Sequence, residues 1–208
     1  MSKKTFKPGA ILSPLPVVMA SVGDMDGESN IITIAWTGIV NTNPPMTYIA
    51  VKPERYSHHI VKENKEFVIN FVDQNLAFAA DFCGVKSGKN IDKWKEMKLT
   101  KERCEKVKCP QIAEAPASLE CKVVKVIENP SHHMFMAEIV NMNVREDLVD
   151  ENGRIRLDQA GLVAYNHGEY FGIAKKAMGR FGYSVMKKKT KKRINRENRN
   201  KYRKSRGK

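Results

Sequence analysis

The sequence predicts a mainly β fold: a closed or nearly closed antiparallel barrel with Greek-key connections and short helices. Three observations carry this. Short runs rich in β-branched residues recur through residues 17–72. Period-two alternation appears at Leu119, Cys121 and Val123 against Glu120 and Lys122, and again at Phe135, Ala137 and Ile139 against Met136 and Glu138. The helical stretches are short, and no strand–helix crossover unit repeats, as a parallel sheet would require.

In chain order, residues 17–22 form a first strand, and the Gly- and Asp-rich residues 23–29 supply a turn. Residues 31–40 form a second strand. Pro44-Pro45 then blocks any helix and forces an extended turn. Residues 47–52 and 67–72 are further strands, with a short helix over 57–65 between them. Ser57 is its expected N-cap, because a hydroxyl there accepts from an otherwise unpaired backbone N–H. Helical spacing of Leu76, Ala79 and Ala80 marks a helix over 75–82, and a third is expected over 89–97. Asn152-Gly153 signals a tight turn.

Charge divides the 208 residues unevenly. Of a net +14, residues 187–208 carry +12, from 13 Lys/Arg and one acid, while residues 1–186 carry only +2. This predicts a near-neutral folded domain over 1–186 and a basic tail over 187–208 too poor in apolar residues to order itself. The four cysteines, Cys83, Cys104, Cys109 and Cys121, form no CxxC pair, so neither zinc nor any other metal is expected. They are also too sparse for a disulfide scaffold, and reduced thiols in the cytoplasm are expected. No apolar run approaches the ~20 residues that span a bilayer. Residues 10–22 are interrupted by Pro14 and Pro16 and run directly into strand-like sequence, unlike a signal peptide.

The residues suited to chemistry gather at strand ends. Arg55, Tyr56 and Ser57 precede or open a helix, whose N–H groups and dipole attract a phosphate. Lys52 stands at the preceding strand end, and Lys93 could reach the same anion. Thr33, Ala35 and Thr37 share one face of the second strand, and Ile34 and Trp36 share the other. Small and hydroxyl residues let a flat ligand approach the backbone, whose N–H groups could bond ring carbonyls. Gly84, Ser87 and Gly88, after Cys83, mark a loop able to wrap a ligand. His132 and His133 point to opposite faces of a strand, so only one can face a pocket and they are not expected to share a metal. Each feature alone also reads as an ordinary cap, packed face or connection.

Their joint order decides the reading. Asn30-Ile31-Ile32-Thr33-Ile34-Ala35-Trp36-Thr37-Gly38, Pro44-Pro45, Ser57-x-x-Ile60 and Phe67-Val68-Ile69-Asn70 resemble the flavin reductase-like family, its flavoredoxin branch most of all. Phe82-x-Gly84-x-x-Ser87-Gly88-x-x-x-Asp92-Lys93, His132-x-x-Phe135-x-x-Glu138-Ile139 and Tyr170-Phe171-Gly172 continue the resemblance in order through residues 5–185. It implies an FMN-binding split β-barrel, a homodimer holding FMN between its subunits, and hydride transfer from NADH or NADPH. By position, Thr33, Ile34, Ala35, Trp36 and Thr37 would line the ring and ribityl chain. Arg55, Tyr56 and Ser57 would hold the phosphate, with Lys52 and Lys93 nearby. Cys83, Gly84, Ser87 and Gly88 would close over the cofactor. His132 would lie near the nicotinamide, as the histidine three residues before Phe135.

The expected function is therefore an FMN-dependent NAD(P)H oxidoreductase that delivers electrons to an unidentified acceptor. Two alternatives stand beside it. One is an FMN electron carrier that takes electrons from a protein donor. The other is a nucleic-acid-associated protein whose basic tail gives weak, salt-sensitive affinity for phosphates.

Overall fold

Residues 1–174, 176–190 and 192–193 are described by a computed structural model. Its first compact unit spans Met1–Ile173, and its second spans Ala174–Lys208. The basic tail expected over 187–208 lies for the most part outside the described residues, and so does any disorder in it.

The first unit begins with β1 (Leu15–Pro16), β2 (Val18–Gly23), β3 (Ser29–Ile34), β4 (Thr37–Thr42) and β5 (Pro45–Val51). Helix α1 (Tyr56–Asn64) leads to β6 (Glu66–Phe71), followed by α2 (Ala77–Val85) and α3 (Lys93–Glu96). After the short β7 (Lys101–Glu102) and β8 (Gln111–Ile112) come two long strands, β9 (Ala117–Glu128) and β10 (His133–Val144). A last hairpin joins β11 (Val163–Asn166) to β12 (Glu169–Gly172).

Seven strands form one antiparallel sheet in the order β3-β2-β6-β9-β10-β5-β4. Its two outer strands, β3 and β4, are consecutive in the chain, joined only by Ala35 and Trp36. The sheet therefore curls until its edges meet at this two-residue bend, as a nearly closed barrel must. The run 31–40 reads from sequence as one strand and is in fact two. Its β-branched composition continues across the bend and hides the break.

Burial explains the apolar patterns. Val18, Ala20 and Ile32 face the barrel interior with Ile49, Phe67 and Phe135. Met19 and Ile31 face outward beneath α2, against Ala80, Cys83 and Trp94. β2 and β3 are thus covered on both faces, and every residue of β2 is buried, the polar Ser21 included, whose hydroxyl donates to the Pro110 carbonyl.

The helices start where side chains and turns permit. A turn from Lys52 to Arg55, with Pro53 at its second position, closes through Arg55 N–H to the Lys52 carbonyl (3.0 Å). It delivers the chain to α1 at Tyr56, so Arg55 is the N-cap and Ser57 lies inside the first turn. The Asp73 carboxylate accepts from the N–H groups of Asn75 and Leu76, which delays α2 to Ala77. Asp92 caps α3 by accepting from Trp94 and Lys95 N–H, which limits the helix expected over 89–97 to four residues. Asn152-Gly153 does turn: Gly153 lies at φ +72° and donates to the Asp150 carbonyl.

Glu120 departs from the alternation that predicts it on the solvent side. It is fully buried, because the segment around residues 103–112 covers that face of β9. Its carboxylate accepts from the N–H groups of Glu105 (3.2 Å) and Lys106 (2.6 Å) and from the amides of Asn141 (2.8 Å) and Asn143 (2.9 Å). Burial pushes its pKa up, but these bonds outweigh burial and hold it below the ordinary carboxylate value.

Glu120→Ala leaves four donors without this acceptor, and urea unfolding is expected to show a loss of about 3 kcal/mol at unchanged m. A lowered carboxyl pKa contributes stability that is full above the ordinary value and lost as the pH falls through the folded value. Glu120→Gln should accordingly flatten the acid side of the stability–pH curve.

Candidate functional site

Two adjoining hollows open beside the bend between β3 and β4. The first, about 360 Å³, is walled by residues 32–36, the end of β5, Asp81, Gly84 and Val85 of α2, His132, and the Tyr165–Tyr170 hairpin. The second, about 320 Å³, is walled by Asn30, the Lys52–Ser57 turn, residues 86–88 and Lys93. Ile32, Lys52 and Arg55 line both, so the two form one continuous cleft. Each lies within the ~300–1,000 Å³ range of small-molecule sites.

The ends of this cleft differ in chemistry. At the bend, Trp36 is 41% exposed and carries the His132 ring at a centroid distance of 4.2 Å, tilted by 44°. Burial, with Lys52 adding to it, pushes the His132 imidazole below its ordinary value. The opposite wall is aromatic as well. Tyr165 and Tyr170 pack edge to face at 5.6 Å, and the Tyr170 hydroxyl donates to Asp81 (3.2 Å). Burial first, then Asp81, pushes that phenol up to about 12.

The second hollow is cationic, with Lys52, Arg55, Lys86 and Lys93 set against Glu54. The first turn of α1 faces it and carries no side-chain cap. Ser57 accepts from the Asn30 amide at 2.9 Å. Gly88 is required here, since a Cβ would lie 2.2 Å from Asn30 Oδ1. Lys93 is only 3% exposed and donates to the carbonyls of Ile31 and Cys83, both at 2.7 Å. Burial pushes its ammonium down to about 8, and Arg55 acts in the same direction.

Thirteen of the fifteen residues expected at a site line one hollow or the other: Thr33, Ile34, Ala35, Trp36, Gly84 and His132 the first, Tyr56, Ser57, Ser87, Gly88 and Lys93 the second, Lys52 and Arg55 both. The structure places two elsewhere. Thr37 starts β4 and donates to the Tyr48 carbonyl (2.6 Å). Cys83 lies on the inner side of α2, packed in the core rather than closing over the cleft. The two histidines diverge as strand geometry requires, His132 toward Trp36 and His133 toward His58.

Asn30, Asp81, Lys86, Tyr165 and Tyr170 also line the cleft and were not among the expected site residues. Asn30 and Tyr170 lie in the stretches that carry the family resemblance. The hairpin had a readable signal in His167-Gly168, both at positive φ, as a two-residue hairpin loop requires. Nothing local indicates that this hairpin folds back onto the bend.

The sequence profile of the flavin reductase like domain matches residues 11–174. The chain belongs to the flavin reductase-like family. Among solved structures, the flavoredoxin of Desulfovibrio vulgaris (Miyazaki F) is similar, with a TM-score of 0.81 and 26% identity over 88% of this chain and 100% of that one. The flavoredoxin of Methanosarcina acetivorans matches with a TM-score of 0.78 and 25% identity over 89% and 100%. An uncharacterized protein of Archaeoglobus fulgidus is 34% identical over 115 residues, 55% of this chain and 65% of that protein. This chain thus spans just under two thirds of that relative. These findings make the chain a member of a flavin-binding family with a split-barrel fold.

Burial pushes the Cys83 thiol up to about 11 and raises Cys109 and Cys121 further. Thiolate is the reactive form. Alkylation by iodoacetamide at pH 7.5, followed by mass spectrometry, should therefore leave these three thiols unmodified in the folded protein and modify all three in urea.

Proposed function

We propose that the protein is an FMN-dependent oxidoreductase that takes hydride from NADH or NADPH and passes electrons to an acceptor. The observation that carries this reading is the continuous cleft, aromatic at the β3–β4 bend and cationic at the first turn of α1. That donor set fits a flat ring joined to a phosphate. Arg55 offers a planar, permanently charged fork for the anion, and the first turn of α1 adds its dipole. Lys52 and Lys93 add charge, and Ser57 and Ser87 add hydroxyls. Thr33, Ala35 and Gly84 keep the wall beside the ring thin, and Trp36 supplies an aromatic face.

When bound, FMN supplies the ring that accepts and releases a hydride. The chain's own part is to orient and to exclude water. His132, whose imidazole burial pushes below its ordinary value, assists nicotinamide placement or a proton step. The outer strand β4 leaves Ile39 and Val40 65% and 45% exposed, which supports a homodimer covering that edge. The four cysteines are free thiols, and no described helix is long and apolar enough to cross a membrane. Free thiols suit a cytoplasmic setting.

A second reading keeps the flavin and replaces the nicotinamide by a protein donor. The likeness to two flavoredoxins favours it. The absorption spectrum of the purified protein with FMN, recorded anaerobically, separates the two. The oxidoreductase reading expects a flavin band that bleaches on addition of NADH or NADPH. A stable band that only a reduced protein donor bleaches would favour the carrier. A protein that takes up no FMN would sink both.

A further inference from the structure

Helix α1 and strand β10 meet at two imidazoles. His58, in the first turn of α1, is 7% exposed. Its Nε2 lies 2.9 Å from His133 Nδ1, with ring centroids 4.7 Å apart and planes crossed at 68°. Phe135 closes one side at 5.4 Å. A hydrogen bond between two ring nitrogens holds one proton, so one of them must be unprotonated. The pair can gain one proton on an outer nitrogen. A second can enter only if the bond opens.

Few charged groups face this pair. From α1 they are His59 and Lys62, and from the end of β9 it is Glu128. Glu128 Oε1 is 3.7 Å from His133 Nδ1 and 3.1 Å from Lys62 Nζ. The neighbour from β5 is Val51, which is apolar.

Each histidine directly follows a residue that lines one end of the cleft. Ser57, in the cationic hollow, precedes His58. His132, whose ring lies on Trp36, precedes His133. We propose that the His58–His133 hydrogen bond is a strut that fixes the phosphate end of the site relative to its ring end, and that it opens in acid when both rings are protonated. The two histidines are positioning residues, since neither lines the cleft. This role rests on the flavin reading.

The direction of titration agrees. Burial, followed by the influence of His133 and Lys62, pushes the His58 imidazole below its ordinary value. A lowered histidine contributes stability that is full above the ordinary value and lost as the pH falls through the folded one. Flavin affinity should therefore weaken on the acid side of neutrality.

FMN binding to the full chain, followed by flavin fluorescence at pH 7.5 and 5.5, tests this on wild type and His58→Gln. The glutamine amide can donate to His133 and cannot titrate. The FMN phosphate itself titrates near pH 6, and the comparison of the two proteins cancels that contribution. The affinity ratio between the two pH values is expected to be about tenfold larger in wild type than in the variant. Equal ratios would overturn the proposal. A readout that needs neither flavin nor variant is the imidazole nitrogen spectrum of wild type. Both rings should report the same two coupled steps, and independent titration of each ring would overturn the strut. Absence of FMN binding by wild type at pH 7.5 would overturn the flavin reading and the positioning role with it, and the nitrogen spectra would still decide the strut alone.

Discussion

A seven-stranded sheet whose two edge strands are consecutive in the chain must pass one short segment across its own seam. Here that segment is Ala35-Trp36. Because β3 and β4 lie at opposite edges, the two residues between them have no strand register, and Trp36 keeps one backbone bond, its carbonyl accepting from Ala50 N–H at 3.0 Å. They do not sink into the core as β3 does before them. Trp36 is left half exposed, and a small residue stands before it. The aromatic end of the cleft follows from how the barrel closes, and α2, His132 and the last hairpin are arranged around that seam.

The cationic end depends on a different constraint. β3 is covered on its outer face by α2, so backbone and side-chain polar groups between them have to be paired. Lys93 does this for the carbonyls of Ile31 and Cys83, and Asn30 does it for the Ser57 hydroxyl. The same bonds tie β3, the C-terminal part of α2 and the first turn of α1 together. A buried ammonium is costly unless bonded. Here its two acceptors are also the groups that hold the cleft's walls in place.

Much of this was legible because side-chain period and backbone period agree. The alternating residues of β9 and β10 announce strands, and the runs at 47–52 and 67–72 lie within one or two residues of β5 and β6. The bend at Ala35 was not legible, because a β-branched run looks the same whether it stays in one ladder or changes edges. Glu120 misled for the converse reason: a carboxylate between apolar neighbours signals solvent unless distant donors are known. Ser57 looked like a cap, but the Pro53 turn starts the helix before it. Tyr165 and Tyr170 reach the cleft only through tertiary folding, which local pattern does not encode. Cys83 follows a site-like sequence stretch yet sits on the buried side of its helix, a matter of one hundred degrees of helical phase.

On the proposed reading, one cleft holds two ends of one ligand, a ring at the seam and a phosphate at α1. The most direct measurement is the affinity of FMN and of riboflavin, which lacks the phosphate, for wild type and for Arg55→Ala. Wild type should prefer FMN, and the substitution should weaken FMN by about tenfold or more while leaving riboflavin nearly unchanged. Equal affinity of wild type for the two flavins, or an equal loss for both on substitution, would contradict it.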